Sequence, residues 1–308
     1  MSISFTLGKA FPQYPLNSTL SHATAFTASV RHEESRSRSR SPTKKIGDLR
    51  AAKPPIKVEM VKGAPQAVKV ILNKFTDIGD GIGVLPYGLK AQLKAADREY
   101  RNLFFDDPTT PVTPHDVELL GKLQFLQDTA SRCHELRKPE PLWGEEAFRP
   151  MLNLAIELEN RGNLQKVQVE NVVNQAGSSD YIKWLPQLAA VECKTTVPGT
   201  DGVVQLGIWM AALRKRLEGL MGPKEIQPEG RGAQLKPMPC LKAQGLDWKM
   251  YWCYIGDNGE TMLYGPQHLG STIDMKGMYQ ILKALQEIVK YGRDEYWPWF
   301  TDTVLGES

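Results

Sequence analysis

The chain reads as an α/β protein, with short β-type runs alternating with amphipathic helical stretches and the polar chemistry gathered on the strands. Three observations carry this expectation. In Leu188-Ala189-Ala190-Val191-Glu192-Cys193-Lys194-Thr195-Thr196 apolar residues flank an acid and a lysine two positions apart. In a strand, successive side chains alternate faces, so Glu192 and Lys194 share one face and Val191 and Cys193 the other. Residues 203–220 place Leu206, Met210, Leu213, Leu217 and Leu220 at alternating spacings of four and three, the signature of an amphipathic helix. Two alternating runs, 249–255 and 261–264, flank Gly256-Asp257-Asn258-Gly259-Glu260, a hairpin turn whose Gly and Asn accept positive φ.

The remaining elements follow the same rules. Residues 64–75 and 85–100 carry helical patterns, separated by the glycine-rich stretch Asp77-Ile78-Gly79-Asp80-Gly81-Ile82-Gly83. That stretch lacks a following Lys-Ser or Lys-Thr and a preceding apolar strand, so it reads as a turn between helices rather than a phosphate loop. A helix over 114–136 has Val117, Leu120, Leu123, Leu126 and Ala130 as its stripe. Another begins near Pro150, where proline suits the first turn, and ends at Arg161-Gly162-Asn163 before a β-type stretch over 167–173. Ser179-Asp180-Tyr181-Ile182-Lys183-Trp184 is a second short β-type run, joined to the Glu192 run through Leu185-Pro186-Gln187, a hairpin turn. Residues 222–232 read as a flexible surface connection. A final helix over 272–291 leads to Tyr296-Trp297-Pro298-Trp299-Phe300, which reads as a packed clamp in preference to a platform for stacking bases.

Composition bounds the function without naming it. With 308 residues and 41% hydrophobic content, the chain is large enough for one well-buried domain with extensions. It holds no run of eighteen apolar residues and its start lacks a secretory pattern, so the expectation is a soluble, intracellular protein with no membrane partner. Cys133, Cys193, Cys240 and Cys253 are widely spaced and the five histidines are scattered, which argues against a zinc site or a disulfide framework. The adjacent Cys133-His134 would point about 100° apart on a helix, a poor geometry for a thiol and its base.

The net charge of +3 is unevenly spread: residues 1–57 hold ten Lys and Arg against three acids, leaving the rest mildly acidic. Within this tail, Ser35-Arg36-Ser37-Arg38-Ser39-Arg40-Ser41-Pro42-Thr43-Lys44-Lys45 has too little apolar surface to order, so residues 1–57 are expected to be a disordered basic tail. Contact with phosphates, a nuclear address and a solvated, phosphorylatable linker are all open readings of it.

The candidate chemistry lies at Asp180, Glu192 and Lys194. Mg²⁺ takes oxygen ligands and keeps several waters, so one or two carboxylates plus a substrate phosphate suffice to hold it. Asp180 and Glu192 supply carboxylates, the Cys193 carbonyl can add a backbone oxygen, and Lys194 can orient water and offset charge on phosphorus. Gln205, in the first turn of the next helix, lies within reach of such a site and is equally a helix-start residue. Without context, the same residues describe a solvated strand face.

The chain resembles the fungal PD-(D/E)XK nuclease-like domain family. The resemblance is carried by Ser179-Asp180-Tyr181, Glu192-Cys193-Lys194, Gln205-Leu206-Gly207-Ile208-Trp209, Gln244-Gly245-Leu246-Asp247-Trp248 and Leu269-Gly270-Ser271-Thr272. It continues in Gly277-Met278-Tyr279-Gln280-Ile281 and Tyr296-Trp297-Pro298-Trp299, and upstream in Ser41-Pro42-Thr43-Lys44-Lys45, Trp143-Gly144-Glu145-Glu146 and Pro150. It implies a restriction-endonuclease-like core of residues 140–308, a mixed sheet flanked by helices, preceded by a helical extension over 58–139.

By that resemblance Asp180, Glu192 and Lys194 form a divalent-metal site for Mg²⁺ or Mn²⁺, and Gln205 matches a glutamine on the following helix. An additional acid is expected from the first core helix, with Glu146 preferred over Glu140. Two departures stand out: Ser178-Ser179 replaces the proline before Asp180, and Cys193 fills the variable slot. The implied activity is metal-dependent hydrolysis of nucleic acid, DNA or RNA, with a homodimer as one option for the assembly. The alternative is a non-catalytic nucleic-acid-binding or scaffold protein that keeps the fold.

Overall fold

The computed structural model describes residues 2–9, 46–94, 100–161, 165–171, 187–195, 202–221, 235–256 and 258–305, with backbone alone for 2–9, 46, 94 and 165–171. A seven-stranded mixed sheet forms its centre. The strands are β1 (Ser2–Lys9), β2 (Ile56–Glu59), β3 (Gln165–Asn171), β4 (Gln187–Lys194), β5 (Met238–Gln244), β6 (Asp247–Ile255) and β7 (Thr261–Ser271), in the order β2-β7-β6-β5-β4-β1-β3. Pairs β4–β5 and β2–β7 are parallel, and the others are antiparallel.

The main helices among the described residues are α1 (Ile46–Arg50), α2 (Gln66–Asp80), α3 (Lys90–Lys94), α4 (Pro114–Glu135), α5 (Glu140–Trp143), α6 (Arg149–Asn160), α7 (Gly202–Met221) and α8 (Met275–Tyr291). Together they cover both faces of the sheet, as expected of a restriction-endonuclease-like α/β fold. On one face, Trp248 and Trp252 of β6 meet Phe148, Phe75 and Tyr291, with ring centroids 5.5, 5.8 and 5.4 Å apart. Those rings come from beside α6, from α2 and from the end of α8, so this face is the main core. On the opposite face α7 crosses the sheet, and Gly207 lets its backbone approach Ile56, Leu49 and Leu263.

Local sequence explains where these elements start and stop. Thr113 and Asp116 close a reciprocal capping box at the start of α4, which satisfies N–H groups that no helical carbonyl can reach. Asp274 caps α8 by accepting from the Gly277 N–H at 2.8 Å. The stripe Leu206, Met210, Leu213 and Leu217 of α7 is buried, as its spacing predicts. Helical chain also continues past its expected ends. A π-turn over Gly144–Phe148 links α5 to α6, and two more follow α8 through Val304. Tyr296, Trp297 and Phe300 are buried there, so the aromatic cluster packs inward.

Three expectations change. Residues 2–9, assigned to a disordered tail, form β1 and pair on both sides, with β3 and with β4. Further along the same segment, residues 46–50 are helical and 56–59 form an edge strand. The alternating Ile3, Phe5 and Leu7 carry the strand signal, which the arginine-rich composition downstream obscures. Residues 85–100 do not make one helix. Leu85 is instead extended beside Phe105, donating to the Phe104 carbonyl and accepting from the Asp106 N–H, both at 2.8 Å, and among the described residues of this stretch 90–94 alone are α-helical. The Ser35–Lys45 tract, the Asp180 run with its hairpin turn and the 222–232 connection lie outside the described residues.

Candidate functional site

Strand β4 presents Glu192 and Lys194 on one face, as period-two alternation requires, and α7 starts directly above them. A Cβ placed on Gly202, the first residue of α7, would lie 3.1 Å from Glu192 Cγ, 3.4 Å from Lys194 Cγ and 3.5 Å from Lys242 Cε. A glycine at this helix start therefore lets the backbone descend onto three charged side chains.

Glu192 is almost fully buried, at 2% exposure, and its Oε1 lies 2.8 Å from Lys194 Nζ. A second acid reaches the same ammonium: both carboxylate oxygens of Glu140, in the first turn of α5, stand 3.4 Å from Lys194 Nζ. Burial disfavours the charge on Lys194, but the hydrogen bond and charge of Glu192, reinforced by Glu140, outweigh it and hold the ammonium above the usual lysine range.

Glu146 points elsewhere. Its carboxylate binds Lys138 and lies 3.9 Å from Cys133 Sγ; it sits six residues beyond Glu140, within the π-turn that follows α5. Thus the acid beside the lysine is Glu140, the less favoured of the two sequence candidates. Its available signal was position: an acid just before Pro141, in the first turn of a helix, where the macrodipole favours a carboxylate.

The Cys193 side chain does not share this face. Its thiol is fully buried on the far face, and burial pushes its pKa far above the ordinary thiol range. The Lys194 carbonyl accepts from the Gly245 N–H at 2.8 Å, toward β5. Successive strand carbonyls alternate sides, so the Cys193 carbonyl points away from β5, toward the side where β1 begins opposite Glu192.

Gln205, one turn into α7, shares the Gly202 side of the helix, and its Oε1 is a buried acceptor with no hydrogen-bond partner among the described residues. Asp180 lies outside the described residues. Among the described residues, no group of three or more His, Cys, Asp or Glu is placed to hold a metal ion. The four cysteines are buried and form no disulfide, and among the described residues no helix is long and apolar enough to cross a membrane.

Sequence reasoning passed over Lys242. It stands on β5 directly opposite Glu192, a neighbour made by parallel pairing of strands separated by α7. Nothing local announces such a pair.

The mixed sheet flanked by helices, with an acid and a lysine two positions apart near the end of β4 and the start of α7 above them, has the architecture of a restriction-endonuclease-like α/β fold. Residues 163–297 match the family model described as the PD-(D/E)XK nuclease superfamily. No curated protein and no solved structure matches the chain.

Proposed function

We propose that the protein is a divalent-metal-dependent nuclease that hydrolyses phosphodiester bonds, with Glu192, Lys194, Asp180, Gln205 and Glu140 as its working residues. The observation that carries this reading is the meeting of Glu192, Lys194 and Glu140 from two separate elements, at 2.8 and 3.4 Å, beneath the start of α7. Enzymes of this superfamily generally use divalent metals, and the donor set fits a hard cation: two carboxylates, a strand carbonyl directed away from β5, and the orphaned amide oxygen of Gln205. Glu192, Asp180 and the Cys193 carbonyl would hold the ion, Mg²⁺ or Mn²⁺, and Glu140 is the additional acid in place of Glu146. Such an ion would bring water and phosphate together and neutralise developing charge.

The chain's own groups supply the rest. Lys194, held charged by its two carboxylates, orients the attacking water by hydrogen bond and offsets negative charge on the phosphorus as the P–O bond breaks. Its position depends on both acids, because one from the strand and one from the helix fix the ammonium from two directions. Gln205 accepts a hydrogen from water in the site, the one partner its buried oxygen lacks.

The test is incubation of purified protein with single- and double-stranded DNA and RNA in Mg²⁺ or Mn²⁺, beside Glu192→Ala and Lys194→Ala. Cleavage by the wild type alone, abolished by EDTA, is the expected result. Equal cleavage by all three proteins, or none by any, would sink the enzymatic reading, and the latter with retained binding would favour a non-catalytic nucleic-acid-binding role.

A further inference from the structure

The strand register continues outward from Glu192 in a polar row. Glu192 of β4 is paired with Lys242 of β5, Lys242 with Lys249 of β6, and Lys249 with His268 of β7. Paired residues share a face, so these four side chains emerge on the side of the sheet that α7 covers. That helix, however, starts over Glu192, Lys194 and Lys242 and runs away toward the opposite end of the sheet, where Arg214 bonds the Gly259 carbonyl in the β6–β7 turn. Lys249 and His268 stand at the Glu192 end, beside the start of the helix and outside its cover.

Exposure follows this geometry. Lys242 and Lys249 are half-buried and His268 is exposed. Lys249 and His268 have no carboxylate partner among the described residues, in contrast to Lys194, which has two. One pair further out, Gln244 faces Asp247 and bounds the row. With strands about 4.8 Å apart, the row from Glu192 to His268 extends about 14 Å from the acid-lysine pair. A half-buried lysine without an acid, in line with a phosphate-handling centre, is suited to an anion that arrives with the substrate.

We propose that Lys242, Lys249 and His268 form a track that binds phosphates of the nucleic-acid strand flanking the bond at Glu192 and Lys194. This rests on the nuclease reading and adds where the uncut part of the substrate lies. The two lysines supply charge and His268 a hydrogen bond at the far end.

The experiment measures binding without turnover. Fluorescently labelled single-stranded and duplex oligonucleotides are titrated with wild type, Lys242→Ala, Lys249→Ala and Lys249→Gln in EDTA, at salt from 50 to 200 mM, and Lys69→Ala on the outer face of α2 serves as the control. Each phosphate contact contributes about 0.7 to the slope of log K against log salt for single strands and about 0.9 for duplex. Each track variant should lose about that much slope, uniformly across sequences, and Lys69→Ala none. Circular dichroism checks the fold, and Lys249→Gln keeps the test valid if one alanine variant fails to fold. Wild-type binding with unchanged slopes in the Lys249 variants would overturn the track and leave the centre intact. Absence of wild-type binding to any oligonucleotide would overturn the track, whereas the nuclease reading is decided by the cleavage assay in Mg²⁺ or Mn²⁺.

Discussion

Removing the Lys194 charge should strand a buried carboxylate, and the size of the effect can be worked from the geometry. At the 2.8 Å separating Lys194 Nζ from Glu192 Oε1, opposite unit charges attract by about 6 kcal/mol at an effective dielectric of 20 and about 1.5 kcal/mol in water. Glu192 is 2% exposed and Lys194 19%, so the pair lies nearer the first limit. Much of this gross attraction offsets the cost of taking both groups out of water. Breaking a buried pair by deleting one member typically costs about 3–5 kcal/mol, because the survivor is left uncompensated. The 30% exposure of Glu140 and the partial opening at Lys194 admit some solvent, which lowers the expected loss for Lys194→Met to about 2–3 kcal/mol.

Glu192→Gln removes the stranded charge, so the double variant should recover to within about 1 kcal/mol of wild type, giving a coupling energy near 2 kcal/mol. Urea unfolding of the four proteins at pH 7 without divalent ions measures each term, provided the m-values agree. A coupling energy below about 0.5 kcal/mol would refute the claim that Lys194 compensates Glu192 in the folded protein.

Three further predictions follow from single features. Gln205→Leu should raise stability by about 1 kcal/mol, because it removes an unpartnered buried acceptor, while lowering cleavage; a less stable variant in urea would contradict this. In Gly277→Ala the new Cβ would sit 1.9 Å from the Ser271 carbonyl oxygen. That contact is with backbone and cannot rotate away, so thermal unfolding should show a loss of about 3 kcal/mol. Deleting residues 2–9 removes the strand between β3 and β4, exposing the β4 edge. Aggregation or loss of cooperative unfolding is the expected outcome, and an unchanged melting curve would show that the strand contributes nothing.

The placement of Glu192 and Lys194 on one face, the α7 stripe beyond them and the hairpin of β6 and β7 were legible in the sequence, because each depends on backbone periodicity over a few residues. The preference for Glu146 over Glu140 rested on closeness to Pro150. That distance lost its meaning once a π-turn joined α5 to α6, adding a residue to the turn and changing the direction of every side chain before it. β1 was hidden for a different reason: its eight residues were grouped with the whole 1–57 segment, whose composition is dominated by the charged tract that begins at Arg31.

From sequence alone came the α/β class, the acid-lysine face of β4 and the helix that follows it. Tertiary structure alone decided that Glu140 meets Lys194, that residues 2–9 occupy the sheet, and that Lys242 stands opposite Glu192. The difference is one of range. Alternation along a strand and stripes along a helix are set by φ and ψ of neighbouring residues. Which strands lie side by side is set by burying apolar faces across the whole chain, and that choice leaves no short-range pattern to read.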